Sequence, residues 1–230
     1  MTETALIVGT GSGLSASLAR LCHKEGMQLA LAARRPDNIA ALAAETSARV
    51  FRCDVAQSAD VAGLFAAVSD KMGPPDLVVY NPSYRTRGPI AELDPEEVLK
   101  TLTVTCFGGF LVGQQAARLM LKRGHGTILF TGASASVKGY ARSAPFAMGK
   151  FGLRGLAQSL ARELGPQNIH VAHFVIDGGI RRPDDSRGNE RGPDGMLEPD
   201  AIAQTYLHVH RQHRSAWTAE VELRPWVETY

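Results

Sequence analysis

Ala5-Leu6-Ile7-Val8-Gly9-Thr10-Gly11-Ser12-Gly13-Leu14-Ser15 decides the fold. Four consecutive apolar residues, two of them β-branched, read as a buried strand. Glycine at positions 9, 11 and 13 then makes a turn that no side chain crowds, and residues 14–24 continue with helical spacing. A strand, a glycine-rich turn and a helix in this order bring backbone close to a pyrophosphate and aim the helix's free N–H groups at it. The strict G-x-G-x-x-G dinucleotide pattern is not met, because Leu14 stands at its last glycine. A plain turn without a ligand would not require three glycines.

Outward from this turn the same alternation repeats. Strand-like runs at 5–8, 28–33, 49–54, 77–81, 127–131, 170–176 and 218–223 are separated by helical patterns at 14–24, 37–46, 59–72, 95–123, 143–164 and 199–212. Such alternation predicts βαβ units, hence an α/β fold with a doubly wound, Rossmann-type parallel sheet of about seven strands and helices on both faces. Right-handed crossovers place the ligand crevice beyond the carboxyl ends of the strands. Neither an internal repeat nor a second domain is visible, so residues 1–230 read as one domain. Residues 181–199, rich in Arg, Asp, Gly and Pro, are too long and polar for a plain connection and read as a substrate lid or an insert.

Composition narrows the function. The chain has 230 residues, 44% of them hydrophobic and 21% charged, which suits one domain with a sizeable core. A formal net charge of +2 gives no footprint for nucleic acid or a membrane surface. The start, Met1-Thr2-Glu3-Thr4, lacks a basic signal-peptide region, and no apolar run approaches a transmembrane length. Cys22, Cys53 and Cys106 are not spaced as a metal or redox pair and read as reduced thiols of a cytoplasmic protein. His208, His210 and His213 do not share one helix face, so a solvated face is expected and no metal.

The second strand ends in Arg34-Arg35. A carboxylate there would accept from a ribose 2′-hydroxyl, whereas arginine suits a 2′-phosphate, which predicts NADP(H) in preference to NAD(H).

With these pieces in order, the chain resembles a short-chain dehydrogenase/reductase over nearly its whole length. Gly9, Ser12, Gly13 and Leu14 lie in what resembles the family's cofactor loop, although Ser15 replaces its final glycine. Cys53-Asp54-Val55 looks like the acidic turn that meets the adenine. Asn81-Pro82-Ser83 stands where the family has Asn-Ala-Gly, and Asp177-Gly178-Gly179-Ile180 replaces the Pro-Gly segment that grips the nicotinamide amide. The resemblance therefore implies cofactor contacts at Asp54, Val55, Asn81, Lys150, Gly178 and Ile180, and a small-molecule substrate. It also implies association into a homodimer or homotetramer through the helices at 95–123 and 143–164.

The family's catalytic tetrad is Asn, Ser, Tyr and Lys. Lys150 matches, but Phe146-Ala147-Met148-Gly149-Lys150 carries phenylalanine at the tyrosine position. The asparagine position falls on Thr105, and the serine on Ala133 or, with a shorter loop, Ser134; Lys150 and Ser134 are the expected catalytic pair. The Phe-Ala-x-x-Lys segment and Leu223-Arg224-Pro225-Trp226 are similar to a minor branch of the family, which makes Phe146 a branch feature. A positioned acid contributes about 10²–10⁴-fold, so its loss slows ketone reduction while leaving hydride positioning intact. Either Tyr84 or Tyr140 donates instead, or the substrate is an activated alkene that needs less acid help, or the chain binds NADPH without turnover as a sensor or assembly partner. An NADPH-dependent oxidoreductase acting on a carbonyl or activated alkene is the first expectation and the silent binder the alternative.

Overall fold

The computed structural model describes residues 2–182, 192 and 194–228. Strands β1 (Thr4–Val8), β2 (Gln28–Ala33), β3 (Arg49–Arg52), β4 (Leu77–Tyr80), β5 (Gly126–Thr131), β6 (Ile169–Ile176) and β7 (Glu220–Leu223) form one parallel sheet in the order β3-β2-β1-β4-β5-β6-β7. Every residue of β1, β4 and β6 is buried, as expected for central strands covered on both faces. Helices α3 (Ser58–Met72), α5 (Gly108–Arg123) and α6 (Ala144–Leu164) pack one face through Phe65, Val112 and Leu153. Helices α1 (Leu14–Lys24), α2 (Ala40–Glu45) and α7 (Pro199–His210) cover the other through Leu18, Leu42 and Tyr206.

The register positions the site. Val8 lies opposite Ala32 and Tyr80, and Tyr80 opposite Phe130. The loops after β1, β2, β4 and β5 therefore leave the sheet at one edge. The chain runs from β1 outward to β2 and β3, then returns to lay β4 on β1's other side, so the order reverses there and the loops diverge into a crevice.

The expected helix at 95–123 is broken. It comprises α4 (Pro95–Leu102), a π-helical turn at Thr103–Phe107, and α5. A π turn carries one extra residue per turn and leaves a carbonyl without its usual partner. The Tyr80 hydroxyl donates to the Val104 carbonyl there. Between β2 and α2 a short 3₁₀ turn (Pro36–Ile39) takes the first part of the expected helix, because Pro36 opens it. Of the expected lid, residues 183–191 and 193 lie outside the described residues. Its base is tied: Arg181 N–H donates to the Leu197 carbonyl at 2.9 Å, Leu197 N–H to the Gly179 carbonyl at 2.9 Å, and Arg181 pairs with Glu198 at 2.5 Å.

Candidate active site

The crevice is a cavity of about 550 Å³ at the carboxyl edge of the sheet, lined from the loops after β1 to β6. Its floor is the glycine turn. Gly9 has φ +81°, and a Cβ on it would lie 2.6 Å from the Pro82 nitrogen, so both backbone conformation and the loop after β4 demand glycine. Gly11 and Gly13 differ: a Cβ on either would meet no protein atom within 4 Å. Their lack of a side chain keeps the cavity open instead of serving the fold. Gly13 precedes α1 without a side-chain cap, and the helix's first turn holds no acidic residue. Its free N–H groups and positive dipole end suit a phosphate. Gly9, Ser12, Gly13 and Leu14 all line the cavity. The donor set therefore fits the pyrophosphate of a dinucleotide.

Arg34, at the end of β2, lines the cavity, and no carboxylate pairs with it among the described residues. Arg35 does not line it: the backbone is already turning into Pro36–Ile39, which carries the second side chain of the pair away. Asp54 and Val55 follow the end of β3 and line the wall; Asp54 Oδ1 accepts from Ala56 N–H at 3.1 Å, and its own N–H donates to Asp60 Oδ2 at 3.0 Å. Gly178, with φ +145° and its Cβ position against Pro225, and Ile180 line the opposite wall. Asn81 Nδ2 donates to Ser15 Oγ at 2.7 Å, fastening the loop after β4 to the start of α1.

At the inner end lies Lys150, 2% exposed, its Nζ donating to the Thr131 carbonyl at 2.7 Å. Burial, with Arg85 adding like charge, pulls its pKa down to about 7. Phe146 is buried one helical turn before it, the ring centroid 5.7 Å from Nζ. The Arg85 guanidinium stacks on that ring at 3.8 Å. Arg85 is itself shifted downward by burial and by Arg87. Sequence reading passed over Arg85, which lies in an irregular loop without a motif.

Of the two candidates for the serine position, Ala133 lines the cavity and Ser134 does not. A Cβ on Gly132 would lie 2.3 Å from His173 Nε2, so the chain passes there as bare backbone; Ala133 then faces the cavity in an extended conformation. Ser134 begins a 3₁₀ turn, Ser134–Ser136, and its side chain is outside the cavity lining. Thr105 is fully buried, and its hydroxyl donates to the Tyr84 carbonyl at 3.3 Å. Neither candidate tyrosine lines the cavity. The Tyr84 hydroxyl donates to Glu97 Oε2 at 2.6 Å and accepts from Lys100 Nζ at 3.0 Å, while Tyr140 is exposed. Among the described residues no group of three or more His, Cys, Asp or Glu could hold a metal. His210 departs from the expected solvated face: its Nδ1 meets Thr127 Oγ1 at 2.9 Å, and burial lowers its pKa. No helix among the described residues is long and apolar enough to cross a membrane.

Comparison with known proteins agrees with this geometry. A family model described as short chain dehydrogenase matches residues 3–181. The (+)-borneol dehydrogenase 1 of Salvia officinalis is 32% identical over 227 residues, covering 90% of this chain and 86% of its own. A short-chain dehydrogenase from Rhodopseudomonas palustris superposes with a TM-score of 0.85 at 34% identity, over 97% of this chain and 99% of that one. An actinorhodin polyketide ketoreductase variant solved with NADPH superposes with a TM-score of 0.91 at 26% identity, over 100% and 98%. With the strand order, the crevice and these matches together, the chain belongs to the short-chain dehydrogenase family of oxidoreductases.

Proposed function

We propose that the chain is an NADPH-dependent reductase that delivers hydride to a carbonyl or an activated alkene without a tyrosine acid. The observation that carries this reading is a buried lysine, Lys150, in the same cavity as the uncapped start of α1 and the rim arginine Arg34. Arg34 supplies a planar fork for a 2′-phosphate, and the end of β2 offers no carboxylate to a ribose diol, which favours NADP(H) over NAD(H). The NADPH of the ketoreductase relative supports the same choice. When bound, NADPH would supply the hydride. Lys150, pinned to the Thr131 carbonyl, would hold the nicotinamide ribose through its remaining N–H donors, and Asn81, Gly178 and Ile180 would bound the ring's end of the cavity. Phe146 keeps an aromatic wall where the family has its acid, and Ala133 gives no hydroxyl to a substrate oxygen. The product oxygen or carbon then takes its proton from solvent, which favours acceptors that delocalise charge. In this reading Ser134 and Arg35 have no direct contact.

Fluorescence titration with NADPH and NADH tests this, followed by NADPH oxidation against ketones, quinones and conjugated enones. Tight NADPH binding with turnover is expected. Binding without turnover favours the second reading, a silent NADP(H)-binding sensor or assembly partner, for which Phe146 is the specific observation. No binding sinks both.

A homodimer is part of the same proposal. Phe107, Phe110, Met148 and Phe151 are exposed on the outer faces of the π turn, α5 and α6, and Phe107 stacks on Phe110 at 5.9 Å. Two copies packed through these faces would bury that apolar surface. Light scattering should give at least twice the chain mass, and Phe151→Glu should lower it. Burial pushes Cys22 and Cys53 up to about 12, so they stay protonated and inert, as suits reduced thiols in a cytoplasm.

A further inference from the structure

Arg85 is the least expected group in the cavity. Its guanidinium carbon lies over the Phe146 ring, 3.8 Å from the centroid. It makes no ion pair or hydrogen bond with any described residue, so the edge of its fork is free. Its loop is fixed on both sides. The Thr105 hydroxyl donates to the Tyr84 carbonyl at 3.3 Å, and Gly88 N–H donates to the Arg142 carbonyl at 3.1 Å. The Glu97 and Lys100 side chains hold the Tyr84 hydroxyl. Charge along the cavity is one-sided. Arg34, Arg85, Arg182 and Lys150 line it, and Asp54, on the wall after β3, is its one described carboxylate. With Arg34 assigned to the cofactor phosphate and Lys150 to the nicotinamide ribose, Arg85 and Arg182 are the remaining arginines of the lining.

We propose that Arg85, seated on Phe146, anchors a carboxylate of the substrate, so that the pocket takes oxo acids or conjugated unsaturated acids in preference to neutral ketones. This rests on the reductase reading of the same cavity. A stacked guanidinium presents its N–H donors in one plane, and a carboxylate matches that plane with two parallel hydrogen bonds. Phe146 thereby has a positive role: a flat ring that carries the cation. Binding makes and breaks no covalent bond, and the hydride and proton bookkeeping of the reduction is unchanged.

The test uses the NADPH complex of the full chain with matched probes: 2-oxobutyrate, acetoacetate, levulinate and benzoylformate, each beside its methyl ester. Cofactor fluorescence reads binding, and absorbance in the same sample reads oxidation. The acids should bind at least about tenfold more tightly than their esters, and Arg85→Gln should reduce that acid-over-ester ratio by about 10–100-fold, as loss of a charge-assisted hydrogen-bond pair does. Arg85→Lys should retain part of the preference, and the NADPH affinity of both variants reports that each is folded. Equal binding of acids and esters, or a preference that survives Arg85→Gln, overturns the anchor. A preference for phosphonate analogues over the carboxylates overturns the carboxylate assignment. The two levels separate cleanly. Acid-selective binding without oxidation keeps the anchor and removes the reductase; oxidation of esters and acids alike keeps the reductase and removes the anchor.

Discussion

The β1–β2 half of the crevice and the β4–β5–α6 half are built from different groups. The first is built mostly of backbone: an open glycine turn and an uncapped helix start, with one rim arginine. Ser15, in the first turn of α1, accepts from Asn81 Nδ2 and leaves the helix's N–H groups in place. In the second, chemistry depends on single side-chain atoms. Under the proposed alignment with the family's tetrad, Phe146 would lack only the oxygen of a tyrosine and Ala133 only that of a serine. The core still packs: Phe146 is 4% exposed and Lys150 still reaches the Thr131 carbonyl. On the proposed reading the fold would hold its cofactor geometry while its proton chemistry differs, because packing depends on atoms in bulk and acid catalysis on one hydroxyl.

The contrast can be broken most severely at Lys150, where the halves meet. Lys150→Met should lower turnover by about 10²–10³-fold, the loss typical of one positioned donor in a dry site, with weaker NADPH binding in the same titration. An equal rate in the variant would mean that Lys150 only fills space. Next comes Arg34→Asp, which should shift the NADPH-to-NADH preference by about 10²-fold toward NADH, since it removes a charge-assisted pair and adds repulsion. An unmoved preference would place 2′-phosphate recognition elsewhere. Phe146→Tyr should raise ketone reduction by about tenfold, less than the full range for a positioned acid because Ala133 still supplies no hydroxyl. No gain with NADPH bound would show that the second half lacks more than its acid.

The smallest effect is on stability. Lys150 has its pKa lowered from 10.5 to about 7 in the fold. Between those values the unfolded chain holds one more proton, so stability rises with pH across that window and falls as pH drops toward 7. His173, lowered to about 4 by burial, gives the same sign between pH 6.5 and 4. Lys150→Met should flatten the upper limb and raise Tm at pH 7 by roughly 2–4 °C for each kcal/mol recovered. A curve that stays parallel to the wild type's between pH 7 and 10 would refute it.

Much of this was legible in the sequence where physics is local. The glycine turn and the seven alternating strands follow from periodicity and spacing, and strand limits moved by no more than two residues; Lys150 was picked out by the family resemblance. Three things were not. Thr-Val-Thr-Cys-Phe at 103–107 contains no glycine or proline, so nothing in its spacing announces a π turn inside a continuous helical pattern. That Ala133 and not Ser134 lines the cavity depends on the path of backbone past His173, which belongs to a strand far along the chain. Arg85 became part of the site through a contact with Phe146, sixty-one positions away, which no motif encodes.

That wide turn also fixes what kind of mutation the protein can bear. Val104 lines the cavity while its carbonyl accepts from Tyr80, and α4 and α5 meet there one residue out of phase. A single-codon deletion within 103–107 would let the helix run straight and turn every side chain before it by about 100° relative to α5. Point substitutions on this helix perturb one contact at a time; an in-frame loss of one codon would dismantle the inner wall, Thr105 and the Arg85 loop together. Libraries that sample deletions should therefore show a sharp hole at these five codons, flanked by helix that tolerates exchange.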